Sequence, residues 1–108
     1  MRIISQNGNV DLLYEKTLIF HATETVLARC EGYDKEIVLG EYSSMEKAYK
    51  AMEMLREQYE QLVVFKVLAS GAAEDMGKSF NNDELLEYYR AYREMNVFQF
   101  PKDDEVEV

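Results

Sequence analysis

A chain of 108 residues, 47% of them hydrophobic, has enough apolar material for one core and no room for a second domain. Its 21 acidic against 12 basic residues give a net charge of −9, which argues against direct binding to nucleic acid or an anionic membrane and makes any charged partner a basic one. The single Cys30 excludes an intrachain disulfide, Met1-Arg2-Ile3-Ile4-Ser5 is too short an apolar run for a signal peptide, and no run reaches the roughly 18 to 20 residues of a membrane span, so a reduced, cytoplasmic setting is expected.

Met1 to Ser5 reads as a first strand, and Gln6-Asn7-Gly8-Asn9 contains the Asn-Gly pair that tolerates positive φ in a hairpin turn, so that Val10 to Leu13 pairs back. After the polar break Tyr14-Glu15-Lys16, three segments rich in β-branched and aromatic residues follow: Thr17 to Ala22, Thr25 to Cys30 and Glu36 to Tyr42. Short polar links join them, as antiparallel neighbours allow. With one face under a helix, Leu18 and Phe20, Val26 and Ala28, and Ile37 and Leu39 are the expected inward residues. Ile19, Leu27 and Val38 are apolar as well, so the second face should be covered by a second helix or, failing that, by a homo-oligomer contact.

Ser43-Ser44-Met45-Glu46 has the pattern of a capping box, with the Ser43 hydroxyl accepting from the Glu46 amide and the Glu46 carboxylate reaching back. Ala48, Met52, Leu55, Tyr59 and Leu62 then recur at helical spacing on one side of a helix over 44–62, with Glu46, Lys50, Glu53, Glu57 and Glu60 on the other. Val63 to Leu68 reads as either a further strand or a continuation of the helix, and its β-branched content favours the strand. The small and polar stretch 69–79 reads as a mobile connection. A second helix is expected from Asn81 or Asn82 to about Met95, with Asp83, Glu84 and Glu87 near its positive end and Arg90 within pairing distance of Glu87 and Glu94. Val97 to Phe100 forms a short last strand closed by Pro101. The fold class is therefore α+β: an antiparallel meander of four or five strands packed on one long helix, with a second C-terminal helix and a short last strand. Residues 1–101 form the domain and 102–108 an acidic flexible tail.

Few residues here suggest catalysis. His21 lies inside an apolar strand with no partner cluster, which suits a half-buried structural imidazole better than a base or ligand. Cys30 stands at the far end of the same hairpin, too remote for a dyad with His21. Gly71 with Gly77-Lys78-Ser79 is similar to the end of a phosphate-binding loop, but its glycine spacing is one residue too long and no helix begins after Ser79. The carboxylates of 103–107 lack the glycine turn of a calcium loop. No catalytic residue, metal site or cofactor is expected. The candidate partner-binding residues are the acidic strip Glu46, Glu53, Glu57 and Glu60, which can mimic phosphates to a basic groove, and Glu87, Tyr88, Tyr89 and Tyr92 of the second helix. Adjacent tyrosines point about 100° apart there and cannot all be buried.

The blocks Met1-Arg2-Ile3-Ile4-Ser5-Gln6-Asn7-Gly8, Gly40-Glu41-Tyr42-Ser43-Ser44, Glu46-Lys47-Ala48, Ala51-Met52-Glu53-Met54-Leu55 and Phe98-Gln99-Phe100-Pro101 cover about a quarter of the chain. In them the sequence resembles a group of small uncharacterised proteins of phages and prophages of Firmicutes. The segment from Val63 to Met95 departs from that pattern, and no catalytic motif is carried over. What the resemblance implies is a phage setting, in which small acidic non-enzymatic proteins, anti-CRISPR proteins among them, block host defence. The leading expectation is an inhibitor of a bacterial defence effector such as a Cas nuclease. Alternatives are a sponge that sequesters a nucleotide immune signal, which needs a basic cluster beside a stacking aromatic, and a phage structural or regulatory adaptor.

Overall fold

The structure is a computed structural model that describes the backbone of residues 1–76 and 82–108 and the side chains of 1–69 and 83–108. Six strands, β1 Arg2–Ile4, β2 Asp11–Leu13, β3 Thr17–Ala22, β4 Thr25–Cys30, β5 Ile37–Glu41 and β6 Val97–Gln99, accompany two helices, α1 Met45–Met76 and α2 Asn82–Met95. The class is α+β. The strands divide into two sheets of three, where a continuous meander of four or five was expected: β3-β4-β5 is the meander, and β2-β1-β6 is a second sheet in which β1 runs antiparallel to β2 and parallel to β6. The division falls at Tyr14–Lys16, which forms one 3₁₀ turn and redirects the chain, with the Thr17 hydroxyl donating to the Leu13 carbonyl at 2.6 Å. Before it, Gly8 takes the positive φ that the hairpin turn requires, +80°. Asn7 Oδ1 braces that turn by accepting from the Ser5 hydroxyl and the Asn9 amide.

Two strands stacked beneath α1 supply much of the core. Val26 and Ala28 of β4 are buried against a helix face whose Ala48 and Ala51 let it approach closely, with Met52, Leu55 and Leu62 extending the contact. Tyr59, expected in the core, is half-buried, its ring 4.4 Å from that of Tyr14. On β3 the inward face is the opposite of the expected one. Ile19 pairs with Ala28 and His21 with Val26, and cross-strand partners share a face. Leu18 consequently points outward, 62% exposed. Leu18, Ile19 and Phe20 are all apolar, so alternation could not choose the face. Nor does α2 cover the outer side of this sheet, since it lies against α1 and β6 and leaves Val38 exposed there as well.

The 63–68 segment is helix, not strand. Between Ser44 and Ser70 no glycine or proline interrupts the chain, and β-branched residues lower helix propensity by only a few tenths of a kcal/mol each. The side chains of Phe65 and Tyr88, 5.0 Å apart, give the continued helix a partner in α2. Helix α1 therefore takes in much of the expected 69–79 connection, ending at Met76, and at 32 residues it is about 48 Å long. Gln58 anchors the far end of α2 to it, donating through Nε2 to the carbonyls of Met95 and Val97 at 3.2 and 2.6 Å.

At the start of α1 the cap is Ser44, whose hydroxyl accepts from the Lys47 amide at 3.2 Å. The anticipated Ser43 and Glu46 box is not formed. The Ser43 amide donates instead to Asp103 Oδ1 at 2.7 Å, and Lys47 Nζ reaches the Asp103 backbone oxygen at 3.0 Å and Oδ2 at 3.4 Å. This corrects the reading of 102–108 as a solvated tail. A 3₁₀ turn over Asp103–Glu105 brings the Asp103 carboxylate to the positive end of α1, and Val106 is buried in the core. Chiefly through the Ser43 amide, and further through Lys47, this setting holds the Asp103 carboxyl below its ordinary value.

Leu55→Ala is expected to lower unfolding free energy in urea by about 2 to 5 kcal/mol, from lost transfer energy and a residual cavity. A loss under about 0.5 kcal/mol, the ordinary range for surface changes, would show that this face is not core. Asp103 gives a pH test. Because its carboxyl is depressed on folding, its contribution is present above the ordinary value of 3.8 and is lost as pH falls through the lower folded value. Asp103→Asn should thus be less stable than the parent at neutral pH, with the gap closing below pH 3.8. A gap independent of pH would rule out the Asp103 clasp.

Candidate functional site

The outward face of α1 changes chemistry halfway along. At 100° per residue, Glu46, Glu53, Glu57 and Glu60 fall on one stripe, and the same stripe continues through Val64, Val67 and Leu68. Glu46, Glu57 and Glu60 are exposed, and Glu53 is half-buried with Lys50 Nζ 3.7 Å away. Beyond them Val64, Val67 and Leu68 are 56%, 66% and 65% exposed. Three large aliphatic side chains thus lie in water on one helix face. The sequence carried the signal for this face, since Glu57 to Val64 and Glu60 to Val67 are both seven-residue steps. Favouring a strand over a continued helix for 63–68 hid it.

The tyrosines of α2 form a different surface. Tyr88 packs on Phe65, Lys66 Nζ lies 5.7 Å from the ring centre of Tyr92, and Arg93 lies 5.8 Å from that of Tyr89. Tyr88 and Tyr92 are half-buried and Tyr89 is exposed. Together with Phe65, Ala69 and Leu85 they line a groove of about 540 Å³ between the helices. Glu87 is exposed but is not part of that lining. Apart from Glu87, which belongs to neither, the expected partner-binding residues separate into the acidic stripe of α1 and the aromatic groove, with Phe65 turned 100° around α1 from Val64.

The remaining candidates stay apart. Cys30 pairs with Thr17 across the hairpin, its Sγ 3.8 Å from the Thr17 hydroxyl, whereas His21 is four residues further along β3, roughly 13 Å of strand. His21 lies edge-on to Tyr49, ring centres 6.3 Å apart, beside a cavity of about 360 Å³ that Glu46, Glu53 and Val108 also line. Among the described residues no group of three His, Cys, Asp or Glu side chains could hold a metal, and no helix is long and apolar enough to cross a membrane. Gly71 lies within α1, and Gly77-Lys78-Ser79 falls outside the described residues.

Arg90 makes neither of the intrahelical ion pairs its spacing suggested. Among the described residues neither it nor Arg93 is ion-paired. Both instead line a cavity of about 500 Å³ with Arg2, Glu94, Asn96 and Val97. Compared with protein-family models, curated proteins and solved structures, the chain gives no match.

The two tyrosine environments predict different costs. Tyr89→Ala should stay within about 0.5 kcal/mol of the parent in urea titration, while Tyr92→Ala, which removes a ring packed against the core, should cost about 1 to 3 kcal/mol. The reverse order would mean that Tyr89, not Tyr92, holds the two helices together.

Proposed function

We propose that this chain is a phage-encoded, non-enzymatic inhibitor of a bacterial defence effector, specifically a Cas nuclease, which it blocks in the host cytoplasm through the outward face of α1. The phage setting rests on the resemblance in the blocks at residues 1–8, 40–55 and 98–101. The reading of the surface rests on one observation: an acidic stripe that passes, on the same helix face, into exposed Val64, Val67 and Leu68.

Such a face suits a basic groove with an apolar margin. Exposed carboxylates act at a distance comparable to the Debye length, about 8 Å at physiological ionic strength, and so speed encounter with a positive surface. Apolar side chains act only on contact, by about 25 cal/mol for each Å² removed from water, and so slow departure. A nucleic acid that needs the same groove is excluded by occupation. In this reading the carboxylates stand in for phosphates, and no bond is made or broken.

Capture from host lysate identifies the effector, and binding rates at two salt concentrations then test the surface. Reversal of both carboxylates, Glu53→Lys with Glu57→Lys, should leave the fold intact, slow association and flatten its salt dependence. Val64→Asp with Leu68→Asp should mainly speed dissociation. His21→Ala and Cys30→Ser, if folded, should inhibit as well as the parent. Unchanged rates and salt slope in the double reversal would end phosphate mimicry by α1, and loss of effect in either His21→Ala or Cys30→Ser at unchanged stability would end the non-enzymatic reading.

A further inference from the structure

Three of the chain's five arginines, Arg2, Arg90 and Arg93, line one cavity of about 500 Å³ in a protein whose net charge is −9. Their convergence comes from the fold. Arg90 and Arg93 are one turn apart near the end of α2, and Arg2 opens β1, which pairs in parallel with β6 so that Arg2 stands beside Val97. The Arg2 amide donates to the Asn96 carbonyl at 2.9 Å, fixing the two sides of the cavity to each other through backbone. A helix C-terminus favours cations, which accounts for Arg93 in the last turn. It does not account for a third guanidinium brought up from another element.

The charges around the cavity are not balanced internally. Asp11 neutralises Arg2, accepting from its Nε and Nη2, and Glu94 is the one carboxylate in the lining. Arg90 and Arg93 have no ion-pair partner among the described residues. Asn96 adds a buried Oδ1 that has no hydrogen-bond partner. An amide turned by half a rotation presents Nδ2, a donor, at the same place. Guanidinium groups present paired N–H donors that match the oxygens of a phosphate two at a time. The volume lies in the ordinary range of small-ligand pockets.

We propose that this cavity binds the phosphate group of a small phosphorylated molecule, with Arg90 and Arg93 as its principal contacts and Arg2 and Asn96 also in the lining. A small ligand is favoured over a nucleic-acid strand because a strand must pass over the surrounding acidic surface, while a single phosphate meets the local arginines with Glu94 as the one carboxylate of the lining. The site shares no residue with the α1 face above, so the two readings stand or fall separately.

The test is calorimetric titration of the full chain with inorganic pyrophosphate, with AMP, and with a short single-stranded oligonucleotide carrying no terminal phosphate. Saturable one-to-one binding of pyrophosphate or AMP is expected. The double variant Arg90→Gln with Arg93→Gln should weaken it at least tenfold while keeping the parent's circular dichroism and melting temperature. Glu94→Gln, which removes the opposing charge, should strengthen it. The inference is overturned by absence of saturable binding to either small probe, by equal affinity in the double arginine variant, or by an oligonucleotide that binds more tightly than both small probes.

Discussion

The carbonyl oxygen of Pro101 is where the chain is tied together. It accepts from the Tyr42 hydroxyl at 2.8 Å and from Gln6 Nε2 at 3.1 Å, joining the turn after β1, the end of β5 and the C-terminal segment at one atom. Gln6 extends the tie along β5, where its amide donates to the Leu39 carbonyl and its Oε1 accepts from the Glu41 amide, so that one residue satisfies part of a sheet edge that would otherwise face solvent. Burial of Tyr42 pushes its hydroxyl well above the usual tyrosine range, and the group works there as a neutral donor. Gly40 is held to its identity by the same ring: a Cβ at that position would lie 2.9 Å from it. Beneath these bonds Ile3, Phe98, Phe100 and Val106 close the core, so the last residues of the chain are structural, acidic though they are.

Sequence reasoning reached the elements whose signals are local. The Asn7-Gly8 turn, the meander links, the first half of α1 and the extent of α2 each depend on a few adjacent residues, and each is present. What it missed depends on contacts across the chain. Separation of the strands into two sheets is settled by β6 pairing with β1 from 95 residues away in sequence (Arg2 with Val97), which no local pattern encodes. Asp103 displaces the local capping box because a carboxylate from the far end of the chain reaches the Ser43 amide first. For β3, an apolar run without alternation left the buried face undetermined. For the candidate site, the acidic stripe was readable from spacing alone. Its apolar continuation was obscured by the β-branched valines, and the arginine cavity by treating Arg90 as a partner for its own helix.

Those misses share a cause with the surfaces proposed here. The first half of α1 lies on strands, and its burial follows the expected period. Its second half packs against α2, and the molecule is elongated, 50 × 34 × 20 Å. A helix supported on one side has a face to spare. Val64, Val67 and Leu68 occupy it at a cost in solvation that a polar residue would avoid, and nothing in the packing of α1 against α2 requires them to be apolar. The same holds for Leu18 and Val38 on the uncovered side of the meander, which give the body a second, smaller apolar surface.

Charge is distributed with similar consequences. Carboxylates run along the outer face of α1, while Arg2, Arg90 and Arg93 gather where β1, β6 and the end of α2 meet, offset there by Asp11 on Arg2 and by Glu94 in the lining. Fields from exposed charges decay over about 8 Å. The two regions are set on different elements, which meet where Gln58 of α1 donates to the carbonyls of Met95 and Val97. Net charge, which is the sum of both, describes neither region.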